Sequence, residues 1–388
     1  MRAPKRILPI IIIAQFFCTS LWFAGNGVMN NLILEFHLES NAISHLTSAV
    51  QFGFIIGTLL FAFFTIADRF SPSKVFLVSA FIGALFNIGL LWEGNSLLSL
   101  SVFRFFTGFF LAGIYPIGMK IAADYYDKGL GKSLGFLVGA LVLGTALPHL
   151  LKDLTLNFKW EYVIVLISFL AVLGGLILYL LVPDGPHRKA SQSLDFKVFF
   201  KIFKNKKLKS AAFGYFGHMW ELYAFWTFVP IILSTYATLH PKKTLNISML
   251  AFLVIAVGFV SCAIGGIFSI KRGAKKIAFI TLLLSCFCCL ISPFMFLLES
   301  EILFVSFLLF WGMMVIADSP MFSTLVAVNA KPELKGTALI LVNSIGFAIT
   351  IVSIQLLNIF LDSYNPTIIY LVLAVGPIFG LMALKKDD

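Results

Sequence analysis

Four residues set in long apolar stretches carry side chains that can hold charge or exchange a proton: Arg104, His218, Glu221 and Asp318. Of the 47 Asp, Glu, Lys and Arg residues, only Arg104, Glu221 and Asp318 fall deep in such stretches. A charge at the centre of a bilayer costs about 2.5–3.5 kcal/mol on insertion scales, so these residues must face a cavity or a partner, and they mark a functional site by default. A guanidinium stays charged and can fork onto a carboxylate or similar anion. Arg104 is therefore a candidate for holding substrate charge, and equally for pairing with Glu221 or Asp318. His218 and Glu221 stand three residues apart, on one helical face with Phe225. An imidazole beside a carboxylate can share a proton with it. Asp318 immediately precedes Ser319-Pro320, and a proline that interrupts the backbone ladder can bend a helix to line a site. Trp311 and Phe322 fall on the same face as Asp318. Glu221, Asp318 and His218 are the proton-coupling candidates.

Neutral polar groups add a second kind of chemistry. Gln15, Thr19, Trp22, Asn26 and Asn30 recur at four, three, four and four residues, which is one helical face. Hydrogen-bonding groups beside an aromatic ring suit a small polar solute, with interhelical hydrogen bonding as the alternative. Arg104, Gly108, Leu111 and Tyr115 are spaced to share another face. The substrate-binding candidates are thus Arg104, Gln15, Thr19, Trp22, Asn26, Tyr115, Phe225, Trp311 and Phe322.

These residues need a membrane scaffold. The 388 residues are 60% hydrophobic and 12% charged, against roughly 45–50% and about 25% in soluble domains. Hydropathy predicts twelve spans, at 7–31, 44–67, 75–93, 97–119, 131–151, 161–182, 210–236, 246–270, 277–298, 302–329, 336–361 and 366–384. The runs are too long and uniformly apolar for barrel strands, so the fold class is an all-α membrane bundle. The N-terminal run continues too far, without a small-x-small cleavage site, to read as a signal peptide.

With the N-terminus in the cytoplasm, 24 Lys and Arg lie on inner segments and four on outer loops. That split predicts both termini inside. It makes the net charge of +11 an insertion signal and not the mark of a nucleic-acid partner. The organisation expected is a bundle over 1–182, a linker over 183–209 and a second bundle over 210–388. In the linker, Lys197, Lys201 and Lys204 share one narrow face of an expected helix, suited to an anionic inner leaflet. The five Cys lie in apolar stretches, without metal-ligand spacing, and read as buried packing residues. HExxH, GxSxG and Walker motifs do not occur, so neither an enzyme nor a cofactor is expected.

The halves look like copies. Gly108 precedes Pro116 by eight residues, and Gly312 precedes Pro320 by eight. Internal repeats of this kind mark secondary transporters, whose site lies where the repeats meet.

The loop Ala67-Asp68-Arg69-Phe70-Ser71-Pro72-Ser73-Lys74 resembles the Asp-Arg-x-Gly-Arg-Lys signature of the major facilitator superfamily, and Ile270-Lys271-Arg272-Gly273-Ala274-Lys275-Lys276 its second copy. Arg104-Phe105-Phe106-Thr107-Gly108 is similar to that family's Arg-x-x-x-Gly motif. Phe64, Ser71 and Ile270 depart from the pattern, and Pro148 follows Gly144 by four residues where the antiporter motif has adjacent Gly-Pro. Ser20-Leu21-Trp22-Phe23-Ala24 and His218-Met219-Trp220-Glu221-Leu222-Tyr223 look like a bacterial branch similar to the cyanate/nitrate-type permeases. The resemblance implies twelve helices in two six-helix bundles and alternating access. It places spans one, four, seven and ten around the cavity, and makes Asp68 and Arg69 gating residues. The function expected is proton-coupled transport of a small polar or anionic solute by a functional monomer in the bacterial inner membrane. Proton-coupled efflux of amphipathic drugs or cations is the alternative, since two acids and an aromatic cavity can bind a lipophilic cation.

Overall fold

The computed structural model describes residues 6–126, 130–155, 158–186, 203–331 and 334–385. Among them every regular element is helical. The chain divides into two compact units, Met1–Leu194 and Asp195–Asp388. Among the described residues ten helical segments are long and apolar enough to cross a membrane, and the shorter apolar helices Ile7–Thr19 and Ile369–Lys385 add two more. Large side chains such as Leu180, Ile270 and Phe294 remain exposed on the outside of the helices. This is the pattern of a chain whose outer solvent is lipid.

In the first unit, span one is Ile7–Thr19, Ala24–Gly27 and Met29–Glu35; span two is Ala42–Phe63; and the short helix Ile66–Arg69 follows. Span three is Pro72–Ile88, span four Leu97–Leu111 and Tyr115–Tyr125, span five Leu130–Leu154 and span six Glu161–Leu181. In the second unit, span seven is Lys206–Leu239, span eight Ile247–Ala256 and Gly258–Arg272, and span nine Ala274–Met295. Span ten is Glu301–Ala317 and Ser319–Asn329, span eleven Lys335–Ser363, and span twelve the 3-10 helix Ile369–Ala374 followed by Val375–Lys385. Residues 187–202, including Lys197, Lys201 and most of the expected linker helix, lie outside the described residues. The first helix after them begins at Lys206, where the Asn205 side chain accepts from the N–H groups of Lys207 and Leu208.

Local chemistry sets the same punctuation in both units. Ser96 caps span four and Ser300 caps span ten, each accepting from the N–H three residues on. Span four stops at Leu111 and restarts at Tyr115 with Pro116 in the first turn; span ten stops at Ala317 and restarts at Ser319 with Pro320 in the first turn. Each proline lacks the N–H that a continuous helix would need, and the first turn is where that loss costs least.

The packing repeats as well. Spans one and seven each lie against the last two spans of their own unit, and spans two and eight against four and ten. Where two crosses four, a β-carbon on Gly108 would fall 2.0 Å from the Val50 carbonyl oxygen. Where eight crosses ten, one on Gly312 would fall 2.0 Å from that of Val254. Both partners are 204 positions apart, as are Pro116 and Pro320. Only glycine allows backbones this close.

Span one departs from the expected single helix over 7–31. It is interrupted at residues 20–23, with no proline there. Two carbonyls at the break, Leu21 and Trp22, accept hydrogen bonds from the buried guanidinium of Arg104.

Candidate functional site

In the second unit, spans seven, nine and ten bring two acid clusters together. Glu221 is buried, and three donors converge on its Oε1: the Ser285 hydroxyl, the Cys289 thiol at 3.2 Å and the Trp311 indole N–H at 2.6 Å. Spans nine and ten thus grip one oxygen of span seven. Trp311 also stacks on Phe225, with centroids 4.4 Å apart and planes at 30°. Convergent hydrogen bonds of this kind suit a carboxylate oxygen, which has only acceptor sites to offer.

One turn earlier on span seven, His218 Nδ1 lies 2.7 Å from Asp318 Oδ1, both side chains 1% exposed. Asp318 occupies the break in span ten, and its carbonyl accepts from the N–H groups of Met321 and Phe322 at the restart. Phe322 and Tyr215 lie beside the imidazole, centroids 6.1 and 5.8 Å from it, and 6.5 Å from each other. His218 Nε2 has no hydrogen-bond partner among the described residues. The expected second-unit residues are therefore gathered into one region: His218, Glu221, Phe225, Trp311, Asp318 and Phe322.

The first-unit candidates are placed differently. Arg104 is fully buried and its hydrogen bonds stay within the first unit: one NH2 group on the Leu21 and Trp22 carbonyls, the other on Asn87 Oδ1 at 3.3 Å. Asn87 in turn donates to Ser168 of span six at 2.9 Å. The guanidinium thus ties spans one, three, four and six. The break in span one also disperses its polar stripe, which does not form one continuous helical face. Gln15 packs against Gly118, where a β-carbon would meet its Oε1 at 2.2 Å. Thr19 donates to its own helix at Gln15 O, 2.8 Å away. Trp22 lies against Phe54 of span two, centroids 4.7 Å apart. Asn26 donates to Thr47 of span two at 2.8 Å, and Asn30 is exposed. The face expected to run from Arg104 to Tyr115 is likewise cut by the break at 112–114, and Tyr115 is half-buried. Helical periodicity holds only while the helix continues.

Asp68 and Arg69 form the short helix after span two, which Thr65 enters in the left-handed region (φ 49°). Asp68 pairs with Lys120 of span four at 3.1 Å, and Lys120 also lies 3.9 Å from Asp124. Arg69 is exposed and donates to Thr65 Oγ1 at 3.3 Å.

Residues 11–354 match the sequence profile of the Major Facilitator Superfamily. The chain belongs to that family. As a Major Facilitator Superfamily protein it is a multi-pass integral membrane protein and a transporter, not an enzyme. A comparison with curated protein sequences finds no match. Among solved structures it is similar to the proton:xylose symporter XylE (TM-score 0.76, 12% identity, covering 98% of this chain and 94% of that one). It is similar also to the nucleoside transporter NupG (TM-score 0.73, 14% identity, 98% and 99% covered). A bacterial homologue of the human lysosomal transporter Spinster, solved inward-facing and unoccupied, aligns at TM-score 0.69 and 15% identity over 98% and 95%. At these identities the likeness is one of fold.

Several members of the site escape a reading of the sequence. Ser285 and Cys289 stand 64 and 68 residues from Glu221, and nothing local ties them to it. Cys289 thus does more than pack. His149 of span five is also buried, at 3%. Gln15 and Gln51 are wholly buried, and neither amide has a hydrogen-bond partner among the described residues. An unpaired buried amide costs about 1–3 kcal/mol. A glutamine in mid-span, four residues from Thr47 and seven from Thr58, was the available signal for Gln51.

Proposed function

We propose that this transporter moves a small polar solute by alternating access, coupled to protons through the acids of the second unit. The observation that carries the reading is the pair of buried acid clusters one turn apart on span seven: Glu221 under three donors, and Asp318 against His218. Coupling requires a group whose protonated and unprotonated forms favour different states, since a ligand shifts an equilibrium only by its differential affinity. The Asp318–His218 pair offers such a group, because proton gain or loss changes the net charge of a site walled by apolar side chains. Span ten is interrupted at Asp318 itself, so a change there acts on the joint between two helical segments. Solved structures of similar fold include a proton:xylose symporter and a nucleoside transporter, which is consistent with small polar cargo. Asp68 and Arg69 act as gating residues at the end of span two. The protein works as a monomer in a bacterial inner membrane with both termini inside.

The test is flux in proteoliposomes. A pH gradient drives accumulation by the wild type; Glu221→Gln or Asp318→Asn abolishes accumulation and leaves solute exchange. Undiminished accumulation by both variants would refute the coupling role.

A second reading, proton-coupled efflux of amphipathic cations, rests on the Phe225–Trp311 stack beside Glu221. Tetraphenylphosphonium transport that fails in Glu221→Gln would favour it.

A further inference from the structure

The two units differ in charge at the end where spans two, four, eight and ten finish. In the first unit acids sit among the cations: Lys120 lies 3.1 Å from Asp68 and 3.9 Å from Asp124, and Ser71 donates to Asp184 at 2.7 Å. In the second unit Ile270 stands where the first copy of the loop signature has Asp68, and it is 77% exposed. Lys271, Arg272, Lys275 and Lys276 follow it. Between Asp195 and Glu299 the only acid in the sequence is the buried Glu221. Membrane insertion depends on Lys and Arg and is little affected by Asp and Glu. It accounts for the cations of this end and leaves the lack of acids beside them unexplained.

Packing brings further cations to the same rim. A β-carbon on Gly380 of span twelve would fall 3.0 Å from the Leu282 side chain of span nine and 3.2 Å from the Gly214 carbonyl oxygen of span seven. The Ser210 hydroxyl of span seven donates to the Ala383 carbonyl at 2.8 Å. Span twelve therefore ends between the starts of spans seven and nine. Lys385 closes it, with Lys207 and Lys209 opening the helix on one side and Lys275 and Lys276 the helix on the other. Asp387 and Asp388, beyond Lys385 in sequence, lie outside the described residues. Next to the rim the outer surface is apolar. Phe379 and Met382 are exposed and share a face of span twelve with Lys385 at three-residue spacing. The exposed rings of Phe268 and Phe213 carry Arg272 and Lys209, each 5.8 Å from the ring centroid. Cations at the edge of an apolar wall complement a phosphate headgroup with its acyl chains. A soluble anion would meet the cations and leave the wall unused.

We propose that this rim, from Arg272 through Lys275, Lys276 and Lys385 to Lys209, holds an anionic phospholipid of the adjoining leaflet, its phosphate among the cations and its acyl chains along Phe379 and Met382. Ile270, in place of an acid, leaves the headgroup without a competing carboxylate from that loop. The assignment does not depend on which solute is carried.

The experiment is thermal unfolding of the purified full chain in detergent with dioleoylphosphatidylglycerol or dioleoylphosphatidylcholine added. The two lipids share acyl chains and differ in headgroup charge. A ligand of the folded state stabilises more as its excess over Kd grows. Phosphatidylglycerol is expected to act at concentrations about fivefold or more below those of phosphatidylcholine, with the difference shrinking as salt is raised. Inorganic phosphate is expected to have no effect. Lys275→Gln with Lys276→Gln removes the preference. Lys242→Gln with Lys243→Gln takes the same charge from the opposite end and keeps it. Ile270→Asp removes no cation and supplies the acid of the first copy. It is expected to weaken phosphatidylglycerol binding several-fold while melting in phosphatidylcholine is unchanged, and it is the deciding variant if the double lysine variant does not insert. Equal stabilisation by the two lipids would overturn the proposal. So would an equal effect of inorganic phosphate, an equal loss on substituting Lys242 and Lys243, or phosphatidylglycerol binding unchanged by Ile270→Asp.

Discussion

Trp311 and Glu221, 90 residues apart in sequence, are joined by an indole N–H donated to Oε1 at 2.6 Å. The same oxygen takes the Ser285 hydroxyl and the Cys289 thiol. Substitutions at 221 should therefore separate charge from architecture. Glu221→Gln keeps an acceptor oxygen and should leave the melting temperature within a few degrees of wild type. Glu221→Ala strands three buried donors and should cost at least about 1–3 kcal/mol of stability. Parallel melting curves of the two purified variants check this. Equal destabilisation would mean that the carboxylate's charge, not its hydrogen bonding, holds spans seven, nine and ten.

The His218–Asp318 contact should behave as a buried pair. Removing one partner leaves the other without its complement and typically costs about 3–5 kcal/mol, whereas removing both costs less than the sum. His218→Leu, Asp318→Leu and the double variant form a cycle whose coupling energy is measurable by denaturant unfolding. Additive effects would show that the 2.7 Å contact contributes nothing.

Arg104 should prove to be a structural tie within the first unit. Lysine cannot span two carbonyls and an amide at once, since its ammonium is a compact point charge. Arg104→Lys is expected to lose about 1.5–3 kcal/mol for each charged hydrogen bond broken, and to lower the transport rate more than it raises KM. A rise in KM for anionic solutes alone, with stability intact, would assign the guanidinium to substrate.

The paired helix crossings predict paired consequences. Gly108→Ala and Gly312→Ala each place a β-carbon 2.0 Å from a neighbouring carbonyl oxygen, and helices must separate to admit it. Overpacking of this sort typically costs about 1–3 kcal/mol or more. The two variants should fall in melting temperature by similar amounts, and a neutral effect at either would mean that its crossing is loosely held.

Much of the scaffold is legible in the sequence because membrane insertion writes it there. Each span must be apolar over a fixed length, and Pro116 and Pro320 announce the breaks beside them. The break in span one is different. No residue between Ser20 and Phe23 forbids a helix, and the group that satisfies the carbonyls freed there is Arg104, some 80 positions later, whose guanidinium takes two of them. Stripes read off an unbroken helical wheel therefore scattered in the structure: Gln15, Trp22 and Asn26 each meet a different neighbour. In the second unit the candidates assembled because Glu221, His218 and Phe225 share an uninterrupted helix, and the break in span ten falls at Asp318. Ser285 and Cys289 could not be found in advance, since a hydroxyl and a thiol in an apolar run have no periodic or charged signature.

The interruption of spans four and ten at equivalent positions separates two kinds of constraint. In one copy the cap position before the proline helix is Ile114, in the other Asp318. The joint forms with either, so the fold does not require an acid there, only the proline turn and the glycine beneath the neighbouring carbonyl. A lineage carrying this fold can therefore gain, lose or exchange its titratable group at that joint by single substitutions, while the mechanical part stays fixed. Divergence in the chemistry carried by the joint is open at position 318 and closed at position 312.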